Sequence, residues 1–274
     1  MGVVLGVDIG GSATKIVGFS SRYESAGELL VKATDQITSM YGAIGHFLQK
    51  YGVPLRDVEK ILLTGVGATF FNEDIYGIST VKVDEFKAIG NGGLYLAAME
   101  DAFVVSMGTG TAFVRASKEG ITHIGGSGVG GGTLLGLSSI MLNKRDIDAI
   151  LLMAENGAAE NVDLLVKDII GYDIPSLPAT LTASNFGNVK SAASDADIAA
   201  GIINLIVETI GMLAAFVAKN DAIKTFILTG TLTSLPSAKL IFDTIGEIHG
   251  LKFIIPRNAV FATAIGAAVS YMKE

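Results

Sequence analysis

A short β-rich run, a glycine turn and a returning β-rich run occur twice in this chain, and this repeat limits the possible folds more than any other feature. The first copy spans residues 3–19 with glycines at 10 and 11, and the second spans residues 102–115 with glycines at 108 and 110. A dinucleotide-binding or P-loop start would continue from the glycines into a helix. Here Thr14 to Phe19 is rich in β-branched and aromatic residues, so the pattern predicts two β-hairpins.

Each predicted hairpin is followed downstream by an apolar strand that ends in Leu-Thr-Gly, at residues 63–65 and again at 228–230. Between them, residues 35–51 repeat apolar side chains at helical spacing, and residues 134–217 look helix-rich. The repeated order predicts two related α/β halves with a cleft between them.

Composition excludes several classes of function. Half of the 274 residues are hydrophobic and 17% are charged, which is typical of a chain that folds around a core. The absence of cysteine excludes disulfides, thiolate zinc sites, iron–sulfur clusters and a cysteine nucleophile within this sequence. A net charge of −7 argues against a nucleic-acid surface, so a bound phosphate would be held mainly by backbone amides.

The most lipid-like stretch, residues 198–217, is interrupted by Asn204 and Glu208. A charge at mid-bilayer costs roughly 3 kcal/mol, so we interpret this stretch as a buried helix. The N-terminal residues carry no basic leader. We therefore expect a cytoplasmic protein with no membrane contact.

Glycine turns after buried strands let backbone N–H groups approach an anion. The chain has such glycines at 10–11 and 108–110, and a third run at 125–132 that leads into an apolar helical segment whose N-terminus could face a phosphate. Tight hairpins alone would also explain any one of these turns. Together with interleaved hydroxyls they favour a nucleotide phosphate site completed by Lys15 and a divalent metal; the hydroxyls are Ser12, Thr14, Thr109 and Thr111.

Two acidic positions are candidates for chemistry. Asp8 ends the first strand beside the first turn, where a carboxylate can hold Mg²⁺ through water or simply cap the turn. Asp84 and Glu85 precede a helical segment, and either can cap that helix or act as a general base toward a hydroxyl. Spacing alone does not choose between these roles.

At this point the residues resemble a known family, the type II (eukaryotic-like, staphylococcal-like) pantothenate kinases of the acetate/sugar kinase, Hsc70 and actin superfamily. The matching segments run in order along nearly the whole chain; they are residues 6–15, 83–86, 107–111, 125–133, 181–187 and 264–267. The segments at Asp8 and Gly108 are shared by many kinases of the superfamily, whereas Asp84-Glu85 and residues 181–187 are more specific.

The resemblance implies an ATP- and Mg²⁺-dependent kinase that phosphorylates the terminal hydroxyl of pantothenate, the first step of coenzyme A biosynthesis. It assigns Glu85 as general base, Asp8 to Mg²⁺ and Lys15 to the ATP phosphates. The remaining implied nucleotide contacts are Gly10, Gly11, Ser12, Thr14, Gly108, Thr109, Gly110, Thr111, Gly130, Gly131, Gly132 and Gly230. The implied substrate contacts are Glu85, Gly108, His123, Thr182, Ala183 and Ile255.

The resemblance also implies an α/β fold of two ribonuclease H-like, actin-like ATPase domains, with mixed sheets flanked by helices and an ATP cleft between them. We expect the domains at residues 1–98 and 99–258, with a C-terminal helix at 259–274 packing back on the first. Family members are homodimers in which the neighbouring subunit helps to close the substrate pocket, and Thr182 and Ala183 match that contribution. Residues 198–217 are then a candidate for the dimer core, or equally an ordinary core helix of one chain.

Two departures from the family concern the substrate pocket. His123 stands where the family commonly has an arginine, and a neutral imidazole cannot form the bidentate contacts of a guanidinium. Ile255 stands where bacterial relatives have a tyrosine, and Arg257 is close enough in sequence to compensate.

Three alternatives remain on sequence grounds. A sugar kinase of the same superfamily would be expected to carry a cysteine-rich zinc motif, and a dehydratase activator would bridge an iron–sulfur cluster with cysteines, but this sequence has no cysteine. A nucleotide-binding regulator without catalysis is kept open by His123.

Overall fold

Two five-stranded sheets with the same strand order organise the chain. The computed structural model describes residues 2–20, 24–32, 35–170 and 178–272. The strands are β1 (Val3–Ile9), β2 (Ala13–Ser20), β3 (Ser25–Lys32), β4 (Val58–Thr64), β5 (Thr80–Lys82), β6 (Asp101–Met107), β7 (Thr111–Ser117), β8 (Ile121–Ser127), β9 (Leu164–Leu165), β10 (Thr182–Ser184), β11 (Thr225–Thr229) and β12 (Lys252–Ile254). The helices are α1 (Gln36–Tyr51), α2 (Glu85–Ala97), α3 (Gly131–Leu142), α4 (Ile147–Ala154), α5 (Asp195–Ala218), α6 (Pro236–His249) and α7 (Ala262–Met272).

The order of the first sheet is β3-β2-β1-β4-β5, and that of the second is β8-β7-β6-β11-β12. In each sheet the three strands of the hairpin and its extension are antiparallel, and the next two run parallel to the first strand. This agreement, strand for strand, confirms the two related α/β halves predicted from the repeated hairpins. The domain boundary between residues 98 and 99 stays a prediction.

The central strand β1 is buried along all seven residues because both faces of the first sheet are covered. Its odd-numbered residues pack in the cluster that contains α1, while Val4 packs with residues of α2 and α7. Helix α1 begins after Asp35, whose carboxylate accepts a hydrogen bond from the Thr38 N–H, and ends at Gly52 with φ +64°. The helix predicted over residues 35–51 is therefore confirmed.

Two sequence predictions in the second half need correction. Gly125 and Gly126 belong to β8 and pair with Phe113 and Ala112 of β7, although the glycine run predicts a loop there. A Cβ atom at Gly126 would stand 2.7 Å from the Thr111 carbonyl oxygen, so glycine at this position allows β7 and β8 to approach each other closely. The following helix starts at Gly131, three residues earlier than the apolar pattern indicates.

Helix α5 contains the lipid-like stretch. By length and composition it is the one helix among the described residues that could cross a membrane. It packs against α3, α4 and α6, and residues along it from Ala199 to Ala218 are part of the largest hydrophobic cluster. We therefore keep the interpretation of α5 as a core helix.

Helices α2 and α7 pack in close backbone contact because glycines of each helix face the backbone of the other. A Cβ atom at Gly92 would lie 1.8 Å from the Ala262 carbonyl oxygen, and one at Gly266 would lie 1.8 Å from the Ala88 carbonyl oxygen. The Asn91 side-chain amide donates to the Ser270 hydroxyl at 2.8 Å across the same interface. These contacts with α7 hold α2 in place, and Glu85 is the first residue of α2.

We expect Gly266→Ala to lower the free energy of unfolding by about 1–3 kcal/mol or more, since the added methyl group meets backbone that cannot yield. Gly42→Ala is the matched control, because Gly42 is exposed on α1 with open space around its Cα. Alanine there should stabilise the protein by up to about 1 kcal/mol through helix propensity. Urea unfolding of both variants checks the prediction, and equal effects would contradict the close α2–α7 crossing.

Candidate active site

A cavity of about 530 Å³ opens where the first hairpin, the start of α2 and the second hairpin meet. It is lined by Asp8, Gly10, Gly11, Ser12, Ala13, Lys15, Val66, Glu85, Phe86, Ile89, Ser106, Gly108, Thr109, Gly110, Thr111, Ala112, His123, Gly126, Ser127, Thr231 and Thr263. The cavity thus takes lining residues from both sheets and brings eleven of the predicted site residues to one place: Asp8, Gly10, Gly11, Ser12, Lys15, Glu85, Gly108, Thr109, Gly110, Thr111 and His123.

Asp8 and Lys15 form a buried pair at the base of this cavity. They are register partners on β1 and β2, and the Lys15 Nζ lies 3.5 Å from the Asp8 Oδ2. Burial raises the pKa of the Asp8 carboxyl, and the Lys15 ammonium offsets part of that rise. Lys15 is the one hydrogen-bond partner of the Asp8 carboxylate among the described residues, which leaves the Oδ1 atom free for another electropositive group.

The residues present fit Mg²⁺ of the kind that keeps most of its water. No cluster of three or more acidic, histidine or cysteine side chains occurs in the part of the chain that the structure describes. A cation at Asp8 would therefore have one protein carboxylate and would fill its other positions with water and phosphate oxygens, as Mg²⁺ commonly does. Glycine at position 65 leaves room beside the Asp8 Oδ1 atom, since a Cβ atom there would stand 2.6 Å from it.

The two glycine turns face each other across the cavity. A Cβ atom at Gly11 would lie 3.5 Å from the Thr109 Oγ1, so the tips of the two turns nearly touch. The Gly10 and Gly108 amides close their own turns, by donating to the Ala13 and Gly110 carbonyl oxygens. Four further amides have no hydrogen-bond partner among the described residues; they are those of Gly11, Ser12, Thr109 and Gly110. Free amides in facing turns are suited to an anion such as a phosphate chain.

The third glycine run lies behind the second turn. The Gly131 and Gly132 amides, the first of α3, donate at 2.8 Å to the carbonyl oxygens of Gly108 and Thr109. This corrects the expectation of a helix N-terminus with free donors, because these two donors already hold the turn. A Cβ atom at Gly130 would stand 2.7 Å from the Thr109 carbonyl oxygen, so the run supports the turn by close packing.

Asp84 and Glu85 are adjacent in sequence but have different surroundings in the structure. Asp84 is the N-cap of α2, and its Oδ1 accepts a hydrogen bond from the Lys87 N–H at 2.9 Å. Glu85, the first residue of α2, is half-buried and lines the cavity that also contains Asp8 and Lys15. Burial raises the pKa of the Glu85 carboxyl, the charges of Asp8 and Asp84 raise it further, and Lys15 lowers it. A carboxylate of raised basicity beside an anion-binding site can accept a proton from an alcohol.

His123 lies on β8 at the exposed rim of the cavity. Its ring stacks on the Phe86 ring with centroids 3.9 Å apart and planes 13° from parallel. Phe86 follows Glu85 directly, so this stack covers the side of the cavity next to the carboxylate. The imidazole has no hydrogen-bond partner among the described residues, and its ring nitrogens are available to a ligand.

The structure places the other predicted site residues outside this cavity. Thr14 is fully buried and its hydroxyl has no partner among the described residues. Gly230 has φ +90° and donates from its amide to the Ala259 carbonyl oxygen. Thr182 and Ala183 lie in β10, which pairs with β9. Ile255 lines a separate cavity of about 370 Å³ with Leu228 and other residues of the second half.

Several lining residues escape the sequence motifs. Ser106 precedes its turn by the same two positions as Asp8 precedes Gly10, so the hairpin repeat itself could have indicated it. Phe86 adjoins Glu85 and could have been included with it. Ile89 of α2, Thr231 of the turn after β11 and Thr263 of α7 reach the cavity through tertiary packing, for which the sequence carries no local signal.

Comparison with known proteins finds relatives along nearly the whole chain. A family model described as Fumble matches residues 101–241. The chain is 30% identical over 275 residues to a type II pantothenate kinase of Oceanobacillus iheyensis, covering 97% of this chain and 98% of that protein. It is 27% identical to the type II pantothenate kinase of Staphylococcus haemolyticus, covering 96% and 98% of the two chains.

Solved structures show the fold. An activator of 2-hydroxyisocaproyl-CoA dehydratase from Clostridium difficile with bound ADPNP is similar with a TM-score of 0.72 at 13% identity, covering 99% of this chain and 94% of that chain. A ROK hexokinase from Thermus thermophilus is similar with a TM-score of 0.56 at 13% identity, covering 99% and 98%. The predicted fold class, two ribonuclease H-like halves of the actin-like ATPase type, is confirmed.

Proposed function

Because this chain belongs to the type II pantothenate kinase family of phosphotransferases, we propose that it transfers the γ-phosphoryl group of ATP to the terminal hydroxyl of pantothenate, the first step of coenzyme A biosynthesis. The observation that carries the proposal is the half-buried Glu85 carboxylate in one cavity with the Asp8–Lys15 pair and two turns of unpaired amides. An alcohol, a base and a phosphate site are what such a transfer requires.

In the proposed reaction the amides of the two turns and Lys15 hold the phosphate chain. Mg²⁺ at Asp8, when bound, supplies positive charge that offsets the negative charge building up between the phosphates. Glu85 takes the proton of the attacking hydroxyl as the new oxygen–phosphorus bond forms, and the bond to the ADP oxygen breaks. Phosphoryl transfer depends largely on such positioning and charge stabilisation.

The proposal includes a homodimer. Thr182 and Ala183 lie outside the cavity of their own chain, so their strand, β10, would complete the substrate pocket of a neighbouring subunit, as the family resemblance implies. Ile255 also lies outside this cavity and stays a proposed substrate contact. Helix α5 is the candidate for the dimer core, since Met212, Leu213 and Phe216 on one side of it are only partly covered. The proposal places the enzyme in the cytoplasm, without nucleic-acid or membrane partners.

An assay of ADP release with pantothenate, pantetheine and a panel of hexoses and N-acetylhexosamines tests the substrate. We expect turnover with pantothenate and none with the sugars. Turnover of a sugar alone would favour the sugar kinase alternative. ATP binding in calorimetry with no alcohol phosphorylated would favour the regulator that His123 keeps open.

The raised pKa of Glu85 has a consequence for the pH dependence. A general base acts in its deprotonated form, so kcat/KM should rise with pH, with its midpoint above 4.5, the ordinary value of a glutamate. Asp84→Asn removes a charge that raises the Glu85 pKa and keeps the helix cap, so the midpoint should move to lower pH. Asp57→Asn, outside the cavity, is the control. An unchanged midpoint in Asp84→Asn would contradict the assignment of this ionisation to Glu85.

A further inference from the structure

Helix α5 carries a polar cluster on the side that faces β10. The cluster consists of Asn204 and Glu208, one helical turn apart, with Asp163, Thr182 and Asn185 from the segment before the helix. The side chain of Asp163 is fully buried. Asn204 and Glu208 are the residues that interrupt the apolar stretch of α5. The proposed chemistry uses neither of them, and it does not use Asp163.

Asn204 is the centre of this cluster. Its Nδ2 donates to the Asp163 Oδ2 at 2.9 Å and to the Thr182 Oγ1 at 3.1 Å, and it lies 3.5 Å from the Glu208 Oε2. Glu208 also accepts a hydrogen bond from the Asn185 Nδ2 at 3.0 Å. The Asn204 side chain of α5 therefore contacts both Thr182 of β10 and Asp163, which binds the turn that follows β10.

Asp163 fixes that turn. Its Oδ1 accepts a hydrogen bond from the Phe186 N–H at 2.8 Å, and Phe186 has φ +54°, a conformation that residues other than glycine rarely adopt. The Gly187 amide closes the turn by donating to the Ser184 carbonyl oxygen. Asn204 of α5 therefore binds Thr182 at the start of residues 182–187, and its partner Asp163 binds Phe186 near the end.

The cluster is costly to bury. No basic side chain is paired with Asp163 or Glu208 anywhere in the described ranges, and burial together with the Asp163 charge raises the pKa of Glu208. Apolar residues would pack α5 at lower cost, because buried polar groups need every partner satisfied. A cluster with this cost therefore points to a role for the geometry that it imposes.

We propose that Asn204 and Asp163 are positioning residues that tie β10 to α5 and hold it in the geometry needed to bind the alcohol substrate. The proposal rests on the proposed function, in which this strand completes the substrate pocket of a neighbouring subunit. It also changes the role of Thr182. Since the Thr182 hydroxyl bonds inward to Asn204, it acts on the substrate through the backbone it anchors, while the exposed Ala183 and Ser184 are the surface that β10 offers.

Steady-state kinetics of Asn204→Leu, Thr182→Val and the double variant test this tie. Thr182→Val should raise KM for the alcohol by about tenfold, the scale expected for one lost hydrogen bond. Asn204→Leu should raise it at least as much, because it also removes the hydrogen bond to Asp163. Both variants should leave KM for ATP unchanged. The double variant should be no worse than Asn204→Leu alone, because the Asn204–Thr182 hydrogen bond that Thr182→Val removes is already absent there. Thr182→Ser, which keeps the hydroxyl, should retain the wild-type KM.

Thr209→Val is the matched control, since the Thr209 hydroxyl donates to the Leu205 carbonyl oxygen within α5. Hydrogen exchange of residues 181–187 is a second readout that needs no substrate, and it should accelerate in Asn204→Leu and stay unchanged in Thr209→Val. If Asn204→Leu does not fold, the comparison of Thr182→Val with Thr182→Ser carries the test.

Three results would overturn the positioning role: faster exchange with an unchanged alcohol KM, equal rises in both KM values, or additive effects in the double variant. Failure of the wild-type enzyme to phosphorylate pantothenate would instead overturn the proposed function. The alcohol KM would then be measured with whichever alcohol of the assay panel is turned over.

Discussion

Glu85→Gln lowers kcat with ATP and pantothenate by about 10²–10⁴-fold, the range expected when a general base is removed. Glutamine has nearly the same shape as glutamate but does not accept a proton from the attacking hydroxyl. The nucleotide should bind as before, because the Asp8–Lys15 pair and the two turns are unchanged. Calorimetry with a non-hydrolysable ATP analogue and single-turnover kinetics measure the two properties separately.

Asp84→Asn is the control for this variant, since Asp84 is adjacent in sequence but caps α2 and does not line the cavity. It should keep kcat at neutral pH within a few-fold of wild type. Turnover of Glu85→Gln close to that of Asp84→Asn would show that the proton is accepted elsewhere.

Asp8→Asn is expected to lower kcat by about 10²–10³-fold, the scale seen when one preorganised electrostatic group is lost. The asparagine oxygen can still accept the hydrogen bond of Lys15, but the neutral group no longer attracts Mg²⁺. Burial raises the pKa of Asp8, which means that the folded protein disfavours this charge. The free energy of unfolding at neutral pH should therefore not fall in parallel with activity.

Urea unfolding and a Mg²⁺ titration of turnover check this prediction. Asp35→Asn is the control, because Asp35 caps α1 at the surface and asparagine is an equally good cap. A further consequence follows from the electrostatics: the Asp8 charge raises the pKa of Glu85, so the residual activity of Asp8→Asn should titrate at lower pH. An unchanged Mg²⁺ requirement in Asp8→Asn would remove Asp8 from the metal site.

Local sequence signals predict the hairpins β1–β2 and β6–β7 and the strands β4 and β11, but not the outer strands β3, β8 and β12. The hairpins and the two strands ending in Leu-Thr-Gly carry their own β-pattern and turn glycines, and Asp35 and Gly52 mark the ends of α1 by capping chemistry. Glycine-rich segments have no side-chain pattern, so residues 125–127 could be recognised as strand only through their pairing with β7. The sequence also gives no sign that the Gly131 and Gly132 amides bind carbonyl oxygens of the second turn, more than 20 residues earlier in the chain.

The roles of the site residues depend on contacts between residues that are distant in sequence. Either Asp84 or Glu85 could cap α2, and only the hydrogen bond from the Lys87 N–H assigns the cap to Asp84. Asn204 and Glu208 read as interruptions of an apolar run, whereas their partners Asp163 and Thr182 lie 41 and 22 residues from Asn204 along the chain. Tertiary packing alone brings such groups together.

Identification of the product tests the central claim most directly. The wild-type protein, ATP, Mg²⁺ and pantothenate should yield ADP and a species heavier than pantothenate by one phosphoryl group in mass spectrometry. Phosphorus–proton coupling in NMR should place that group on the terminal methylene oxygen, and Glu85→Gln should form it at least about 10²-fold more slowly. Release of ADP without a phosphorylated pantothenate, or a phosphate on the secondary hydroxyl, would contradict the account.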